Sequence, residues 1–146
     1  MRLIYILLAI TLVSCKNEKQ DNYYKSISKD KKDTAVLNVN IEKSSFYGKY
    51  QVKHHDNTKD SGTITGSIFG DTLKGRYTYI SRHNIKTVDP IAFLVVGKDL
   101  KLGNGDPASY MSIPYYMDGT IYFNDSLLLF KPIKLKEFND LIKSIY

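Results

Sequence analysis

Apolar and polar side chains alternate with a period of two along much of the chain between residues 34 and 80. The alternation occurs in four stretches, which are 34–41, 45–53, 63–68 and 72–79. Each stretch predicts a β-strand that has one buried face and one solvated face. Because the stretches follow one another closely, they predict an antiparallel meander.

Two glycines lie within the last two of these predicted strands, on their apolar faces. Gly70-Asp71 fits a two-residue hairpin with glycine in the first turn position. That hairpin pairs Gly66 with Gly75, and we expect Gly48 to occupy the same position in the preceding strand. Glycines stacked across strands allow a sheet to bend sharply, as a barrel requires. The glycines therefore predict a strongly curved sheet.

The same glycines have a second interpretation as the floor of a ligand groove. Bare backbone leaves room for a large ring, and tyrosines of the neighbouring strands are available to supply it. A bend filled by aromatic side chains is the favoured interpretation, and a site for a small apolar ligand is the alternative. The candidate ligand-binding residues are Tyr50, Gly66, Gly75, Tyr77 and Tyr79.

The pattern loosens beyond residue 80. The continuous apolar run 91–96 predicts a strand that is covered on both faces, and 100–102 predicts a short strand. Residues 119–123 and 127–130 predict a closing hairpin across 124–126, ended by Pro132. Helical spacing predicts a short C-terminal amphipathic helix that plugs a barrel mouth or covers a sheet edge, through Leu135, Phe138, Leu141, Ile142 and Ile145.

These elements together predict an all-β fold. We expect an antiparallel meander that closes into a small lipocalin-like barrel or a coiled sheet, with a short C-terminal helix. A two-layer sandwich is the alternative. The length of 146 residues suits one domain with a single modest core.

The first fifteen residues, MRLIYILLAITLVSC, have the layout of a secretory leader. Arg2 gives a positive start, and an apolar run of eleven residues extends from Leu3 to Val13. This run is shorter than the roughly 20 residues that a membrane-spanning helix needs. We therefore expect residues 1–14 to be a signal peptide that is removed from the mature protein.

Cys15, the only cysteine of the chain, stands where cleavage of such a leader would occur. Together with the preceding Leu12-Val13-Ser14, it resembles a bacterial lipobox. The resemblance implies that Cys15 carries acyl chains such as palmitate and begins the mature protein. It also implies a lipid-anchored protein of the cell envelope, and Lys16, where some bacteria use aspartate for inner-membrane retention, favours the outer membrane. An ordinary signal peptide with a coincidental cysteine is the alternative.

Residues 16–33 are polar, rich in lysine and without periodicity, so they predict a solvated linker. We expect the lipidated cysteine and polar tether to cover 15–33, with Tyr23 and Tyr24 available to dock onto the domain. A single β domain with its C-terminal helix is then expected over 34–146.

The net charge of +6 is modest, and the lysines are scattered along the chain. No motif of a nucleic-acid-binding module occurs, so no nucleic-acid partner is expected. No cofactor motif occurs either, and we expect no cofactor. The partners that remain are a membrane, through the lipid anchor, and either an envelope protein or a small apolar ligand.

Candidate catalytic residues are lacking in the sequence. No nucleophile elbow and no Ser–His–Asp arrangement can be recognised, and the aspartates lie at predicted loops and strand ends. His54-His55-Asp56 with Asp60 is a candidate metal site, but adjacent histidines on an extended chain point apart, and His83 is isolated. We therefore expect no catalytic residue, no metal site and no enzymatic activity.

Two segments carry a family resemblance. SGTITGSIFGDTLKGRYTYIS and the later IAFLVVGKDLKLGNGD resemble small uncharacterised lipoproteins of Bacteroidetes-type bacteria, over about residues 34–130. The matching positions are Gly62, Thr63, Ile64, Gly66, Gly70, Asp71, Thr72, Leu73, Tyr77, Thr78, Tyr79, Ser81, Ala92, Phe93, Leu94, Gly97, Leu100, Gly103, Gly105 and Asp106. The chain departs from the family pattern at Ser81-Arg82-His83, at Asp89-Pro90 and at Leu102, where those proteins often carry acidic or Arg-Glu residues. The resemblance implies the fold and the envelope location, and it implies no activity.

Two functional classes follow from these observations. The favoured one is a lipid-anchored envelope protein with a non-enzymatic structural or protein-interaction role, which predicts a filled barrel and an exposed patch at Tyr110, Tyr115 and Tyr116. The alternative is a barrel that binds a small apolar molecule. The alternative requires a well-formed cavity, and an interior filled by Tyr50, Tyr77 and Phe93 would count against it.

Overall fold

The computed structural model describes residues 22–81, 83–124 and 128–145. The predicted leader and Cys15 lie outside the described residues. Within them, the elements in chain order are β1 (Tyr23–Ile27), β2 (Thr34–Glu42), β3 (Ser45–Lys53), β4 (Lys59–Phe69), β5 (Thr72–Ile80), β6 (Lys86–Val96), β7 (Asp99–Gly103), β8 (Pro107–Tyr110), β9 (Ile113–Tyr116), β10 (Leu129–Pro132) and α1 (Leu135–Ile145).

Eight of these strands form a closed barrel in the order β1-β10-β7-β6-β5-β4-β3-β2, and every neighbouring pair is antiparallel. The prediction of an all-β meander that closes into a small barrel with a short C-terminal helix is confirmed. A sandwich is excluded because the ladder runs without a break from β1 back to β1. The barrel and α1 come entirely from residues 23–145, so this part of the chain contains a self-contained core.

The interior of the barrel is filled with side chains. Alternate residues of each strand point inward, as the period-two pattern predicts. Three phenylalanines are almost completely buried, and they pack with tyrosines and aliphatic residues. The core comprises Tyr24, Ala35, Leu37, Val39, Phe46, Tyr50, Ile64, Leu73, Tyr77, Ile91, Phe93, Leu100 and Phe130.

The register of β4 and β5 follows the predicted hairpin. Gly70 has a φ of +61°, which suits glycine in the first turn position. Gly66 lies opposite Gly75, as expected. Gly48 is different, because β3 pairs Gly48 with Ile64 and places Phe46 opposite Gly66. The expectation that Gly48 continues the glycine stack is therefore wrong by two residues.

The ring that lies over the bare backbone belongs to Phe46, and not to one of the three predicted tyrosines. A Cβ built on Gly66 would lie 2.6 Å from Cε1 of Phe46 and would also collide with the carbonyl oxygen of Lys74. A Cβ built on Gly75 would collide with the carbonyl oxygen of Thr65 and lie 2.8 Å from Cα of Gly66. The two strands approach so closely here that no side chain fits between them.

The folded part begins earlier than residue 34. β1, within the segment predicted as a tether, pairs with β2 over five residue pairs and with β10 over two, and it closes the barrel. Tyr24 points into the core, while Tyr23 and Lys25 face outward. Only one large apolar side chain of β1 is buried, so the strand reads as a polar segment in the sequence.

The segment between β7 and β10 also differs from the prediction. Among the described residues of 119–123, only Tyr122 forms a β-bridge, and its partner is Asn104. β10 pairs with β1 and β7, so the predicted hairpin of 119–123 with 127–130 is not formed. The hairpin that is formed is β8–β9, which the sequence did not reveal. β8 and β9 contain Pro107 and Pro114, residues that are typical of edge strands.

α1 lies outside the barrel against β1 and β2. The rings of Tyr23 and Phe138 are 4.8 Å apart, and Nζ of Lys53 donates a hydrogen bond of 3.2 Å to the carbonyl oxygen of Ser144. The outward-facing Val36 of β2 is 1% exposed. The helix therefore covers an outer face of the wall next to the closure and does not plug a mouth.

The close approach at Gly66 yields a stability prediction. We expect Gly66→Val to lower the free energy of unfolding by about 3 kcal/mol, because the new side chain forces β4 away from β5 and displaces Phe46. Denaturant unfolding followed by circular dichroism measures the change. Gly97 is the matched control, since its φ is +62° and a Cβ there meets open space. Gly97→Asn should cost about 1 kcal/mol or less, and an equal loss in both variants would contradict the prediction.

Candidate functional site

The barrel wall has an opening on one side because β7 is short. β7 pairs only with the second half of β6, from Ala92 to Val96. On that side, residues 86–91 of β6 therefore have no ladder partner among the described residues. A cavity of about 450 Å³ lies at this opening, and we call it the side pocket. Its lining includes Tyr50, Tyr77, Asp89, Ile91, Leu102 and Tyr116.

A chain of tyrosines connects the core to the side pocket. The Tyr77 hydroxyl donates a hydrogen bond of 3.1 Å to the carbonyl oxygen of Tyr50, and the two rings are 4.8 Å apart. The rings of Tyr77 and Tyr79 stack at 4.3 Å with 8° between their planes. The Tyr79 hydroxyl donates to Oδ2 of Asp89 at 2.7 Å. The pocket therefore combines aromatic walls with one carboxylate at its rim.

The surroundings keep these phenols in their neutral form. Burial, followed by the hydrogen bond to Asp89, raises the pKa of Tyr79 to about 12. Burial raises the pKa of Tyr77 as well, with a contribution from the neighbouring Tyr50. Burial and the nearby charge of Asp60 raise the pKa of Tyr50. A phenol that ionises this reluctantly is a poor general base at neutral pH.

The predicted ligand-binding residues divide between two places. Tyr50 and Tyr77 line the side pocket, and Tyr79 stands beside it through its contacts with Tyr77 and Asp89. Gly66 and Gly75 line a separate surface cleft of about 510 Å³ between β4, β5 and the β8–β9 hairpin. The structure therefore does not gather the five candidates into one groove.

Aromatic rings in mutual contact occupy the interior of the barrel. The rings of Tyr50 and Phe130 are 5.8 Å apart, and Phe93 is at the same distance from Phe130. Tyr50 and Phe93 also meet edge to face at 6.5 Å. Rings at these separations are in ordinary aromatic contact. The filling of the interior is the condition that the sequence analysis set against an interior ligand.

Asp89 and Tyr116 also line the side pocket, and neither was among the five candidate ligand-binding residues. Asp89 is an alternate residue of β6 with Ile91 and Phe93, so it lies on the inward face of that strand. The alternation in the sequence could therefore have placed it there. Tyr116 belongs to β9, whose position depends on contacts with β6 that are distant in the sequence. Burial raises the pKa of Tyr116, with a further contribution from Asp89.

The histidine cluster is held by two carboxylates, those of Asp33 and Asp60. Nε2 of His54 lies 2.9 Å from Oδ2 of Asp60, and Nδ1 lies 3.5 Å from Oδ2 of Asp33. The backbone N–H of His55 donates to Oδ1 of Asp33 at 3.0 Å. Both ring nitrogens of His54 therefore already face carboxylates. Within the described parts of the chain, no three His, Cys, Asp or Glu side chains are grouped so as to hold a metal ion. His83 lies in the turn between β5 and β6.

The β8–β9 hairpin carries a large exposed apolar surface. Tyr110 is 67% exposed and Met111 is 79% exposed, and together with Ile113, Tyr115 and Met117 they form what we call the hairpin patch. Tyr110 and Tyr115 lie on this patch, as predicted. Tyr116 faces the barrel and lines both the side pocket and the surface cleft. The predicted patch of three tyrosines is thus correct for two of them.

The turn of this hairpin is held in an unusual backbone conformation. Met111 and Ser112 both have positive φ, at 49° and 63°, as a type I′ turn requires. Asn and Gly are the residues that favour such positions, and an exposed methionine there favours neither stability nor solubility.

Comparisons with known proteins do not decide between the functional classes. No family model, no curated protein and no solved structure matches this chain. Among the described residues, no helix has the length and apolar character needed to cross a bilayer.

The raised pKa of Tyr79 predicts a loss of stability at alkaline pH. The tyrosine of an unfolded chain has a pKa of about 10, whereas burial and the hydrogen bond to Asp89 raise the pKa of folded Tyr79 to about 12. Its contribution to stability is therefore complete below the unfolded pKa and is lost as the pH rises through the folded value. We expect the denaturation midpoint of the wild-type protein to fall as the pH rises above about 10.

The variant Tyr79→Phe should weaken this pH dependence, because it removes one of the groups that carry it. Denaturant midpoints measured at several alkaline pH values provide the test. Tyr110→Phe, on the exposed hairpin, is the matched control and should keep the wild-type dependence. If the denaturation midpoint of Tyr79→Phe falls with pH as steeply as that of the wild-type protein, the pKa of Tyr79 is not raised by folding.

Proposed function

We propose that this chain is a lipid-anchored protein of the bacterial cell envelope whose folded part has a non-enzymatic, protein-contacting role. The observation that carries the proposal is the contrast between a filled barrel interior and an exposed hairpin patch. A solid barrel offers a rigid support, whereas the exposed apolar side chains stand on a short hairpin outside it. Exposed apolar patches of this kind commonly mark protein contacts.

The anchor is proposed from the sequence. An apolar leader, a small residue and a single cysteine at the cleavage position form the lipobox-like pattern at Cys15. Several acyl chains on one residue hold a protein firmly at a membrane, while one chain holds it only marginally. Outer-membrane attachment is the favoured form of the proposal, because Lys16 follows Cys15 where some bacteria use aspartate for inner-membrane retention.

The contact role rests on the hairpin patch. Aromatic residues and methionine are enriched at the centres of protein interfaces, and Tyr110, Met111 and Tyr115 supply both types. The positive φ of Met111 adds to the argument. Met111 is largely exposed and its positive φ costs stability. Such a residue does not serve the stability of the fold, which favours a role in contacting another molecule.

The alternative function is the binding of a small molecule, and the side pocket is the observation that favours it. The pocket has about 450 Å³ and is lined by Tyr50 and Tyr77, two of the predicted ligand residues. Its volume lies within the range of small-molecule sites. The carboxylate of Asp89 at its rim would favour a ligand with an apolar body and a hydrogen-bond donor.

The anchor is tested by Cys15→Ser in the full chain. We expect the wild-type protein to sediment with membranes and the variant to be released from them or to remain as an unprocessed precursor. Metabolic labelling with an alkyne fatty acid should mark the wild-type protein and not the variant. Ser14→Ala, which keeps a small residue before the cysteine, is the matched control. Acyl labelling that persists in Cys15→Ser would show that the lipid lies elsewhere.

The contact role is tested by the double variant Tyr110→Thr with Met111→Asn. Asn accepts positive φ well, so the barrel should remain folded while the patch loses two apolar side chains. We expect crosslinking in the native envelope to capture a partner protein about tenfold less efficiently than with wild type. Ile80→Thr with Ile85→Thr is the control, since these side chains are exposed outside the patch. If the patch variant and the control variant capture the partner equally well, the hairpin patch is not the contact surface. A small molecule that copurifies with the protein while no protein is captured would also contradict the contact role.

A further inference from the structure

A second exposed surface lies on the barrel wall where the sheet closes. β1 and β10 are paired only at Tyr24↔Pro132 and Lys25↔Lys131, and beyond these pairs the two strands leave a groove of about 850 Å³. The groove has an apolar floor in which Ile27 and Val96 are each 50% exposed. Further apolar lining comes from Leu94, Leu129 and Ile133. We call this surface the closure wall.

Lysines surround the apolar floor. The groove is lined by Lys25, Lys29, Lys101 and Lys131, with Asp99 as the acidic residue of the lining. Glu137 of α1 approaches the wall as well, with Oε1 at 3.6 Å from Nζ of Lys25. Counting these six groups, the closure wall carries a net positive charge. An apolar floor with a cationic rim is the surface that a protein presents to anionic lipids.

One feature of the wall costs stability in the isolated domain. Lys25 lies directly opposite Lys131 in the ladder, and like charges at such a position repel each other. This repulsion is relieved by an occupant that brings negative charge.

The length of chain between the proposed anchor and the barrel adds a geometric argument. Only residues 16–21 separate Cys15 from Asn22, the first described residue, because β1 belongs to the barrel. Seven residue steps reach at most about 25 Å when fully extended. Lys25 and Ile27 lie within the first five residues after Asn22, on the outward face of β1. A lipid on Cys15 therefore holds the closure wall within reach of the headgroups.

We propose that the closure wall is a membrane-contact face that binds anionic phospholipid headgroups, with Ile27 and Val96 reaching the acyl boundary. The proposal deepens the proposed lipid anchor and rests on it for the orientation of the barrel. The anchor supplies attachment, and the closure wall decides which side of the barrel lies on the bilayer. The hairpin patch is formed by other residues and stays available for a protein.

The binding assay uses a chain of residues 16–146, which contains the whole closed barrel and lacks both the leader and Cys15. Circular dichroism and the elution volume in size-exclusion chromatography are used to check that it is folded. We expect it to cosediment with vesicles of phosphatidylglycerol mixed with phosphatidylcholine and to bind pure phosphatidylcholine at least about tenfold less tightly. Added salt should weaken the binding, because the contact is electrostatic.

Two matched variants locate the contact. The wall variant carries Lys→Gln at positions 25, 29, 101 and 131, and we expect its affinity for the anionic vesicles to fall by at least about tenfold. The control variant removes the same number of charges from the β2–β5 side of the barrel, by Lys43→Gln, Lys49→Gln, Lys74→Gln and Arg76→Gln. It should bind like wild type.

Each result decides the proposal. Selective binding to anionic vesicles that the wall variant loses and the control variant keeps supports it. No binding, binding without preference for anionic lipid, or an equal loss in both variants overturns it. Photo-crosslinks from position 96 of the lipidated protein to a protein in place of lipid also overturn it. The assay contains no Cys15, so failure of the closure wall and failure of the anchor are separate results.

Discussion

The bend at the Gly66–Gly75 pair is the constraint on which the rest of the molecule depends. β4 and β5 approach so closely there that only hydrogen atoms fit between them, and Phe46 lies over the gap. The sheet can therefore curl tightly around one cluster of aromatic rings. A barrel of this small radius is filled by its own side chains. The side pocket, the hairpin patch and the closure wall therefore lie on the flank, on the hairpin and on the outer wall, outside the filled interior.

Much of this fold could be predicted from the sequence because its signals are local. Alternation over β2 to β5 marks the strands. The two-residue turn Gly70-Asp71 fixes the register of the β4–β5 hairpin, and that register pairs Gly66 with Gly75. β1 escaped prediction because its outward lysine and small Ser26 hide the alternation around Tyr24. The offset of Gly48 depends on the β3–β4 turn, which carries no such clear turn signal.

The candidate site was predictable only in part, for a related reason. Tyr50 and Tyr77 could be assigned to an inner face from parity alone. Their access to solvent is a consequence of the shortness of β7 and of the path of residues 104–124, which are tertiary properties. The sequence predicted the exposure of Tyr110 and Tyr115 in the hairpin patch. It did not predict that Tyr116 faces the barrel, because that orientation follows from the packing of β9 against β6. Local patterns identify faces of strands, and they do not identify openings between strands.

The seam between β1 and β10 has a mechanical consequence. Any pull on the chain upstream of Asn22 enters the barrel through β1, the strand with two residue pairs on one side and five on the other. When a strand is pulled across its own axis, its hydrogen bonds are loaded from one end and break one after another. Tension would peel this strand away first and leave the ladder from β2 to β7 intact. The β1–β10 ladder, which like the β10–β7 ladder has two residue pairs, therefore lies next to the strand at which such a pull would enter.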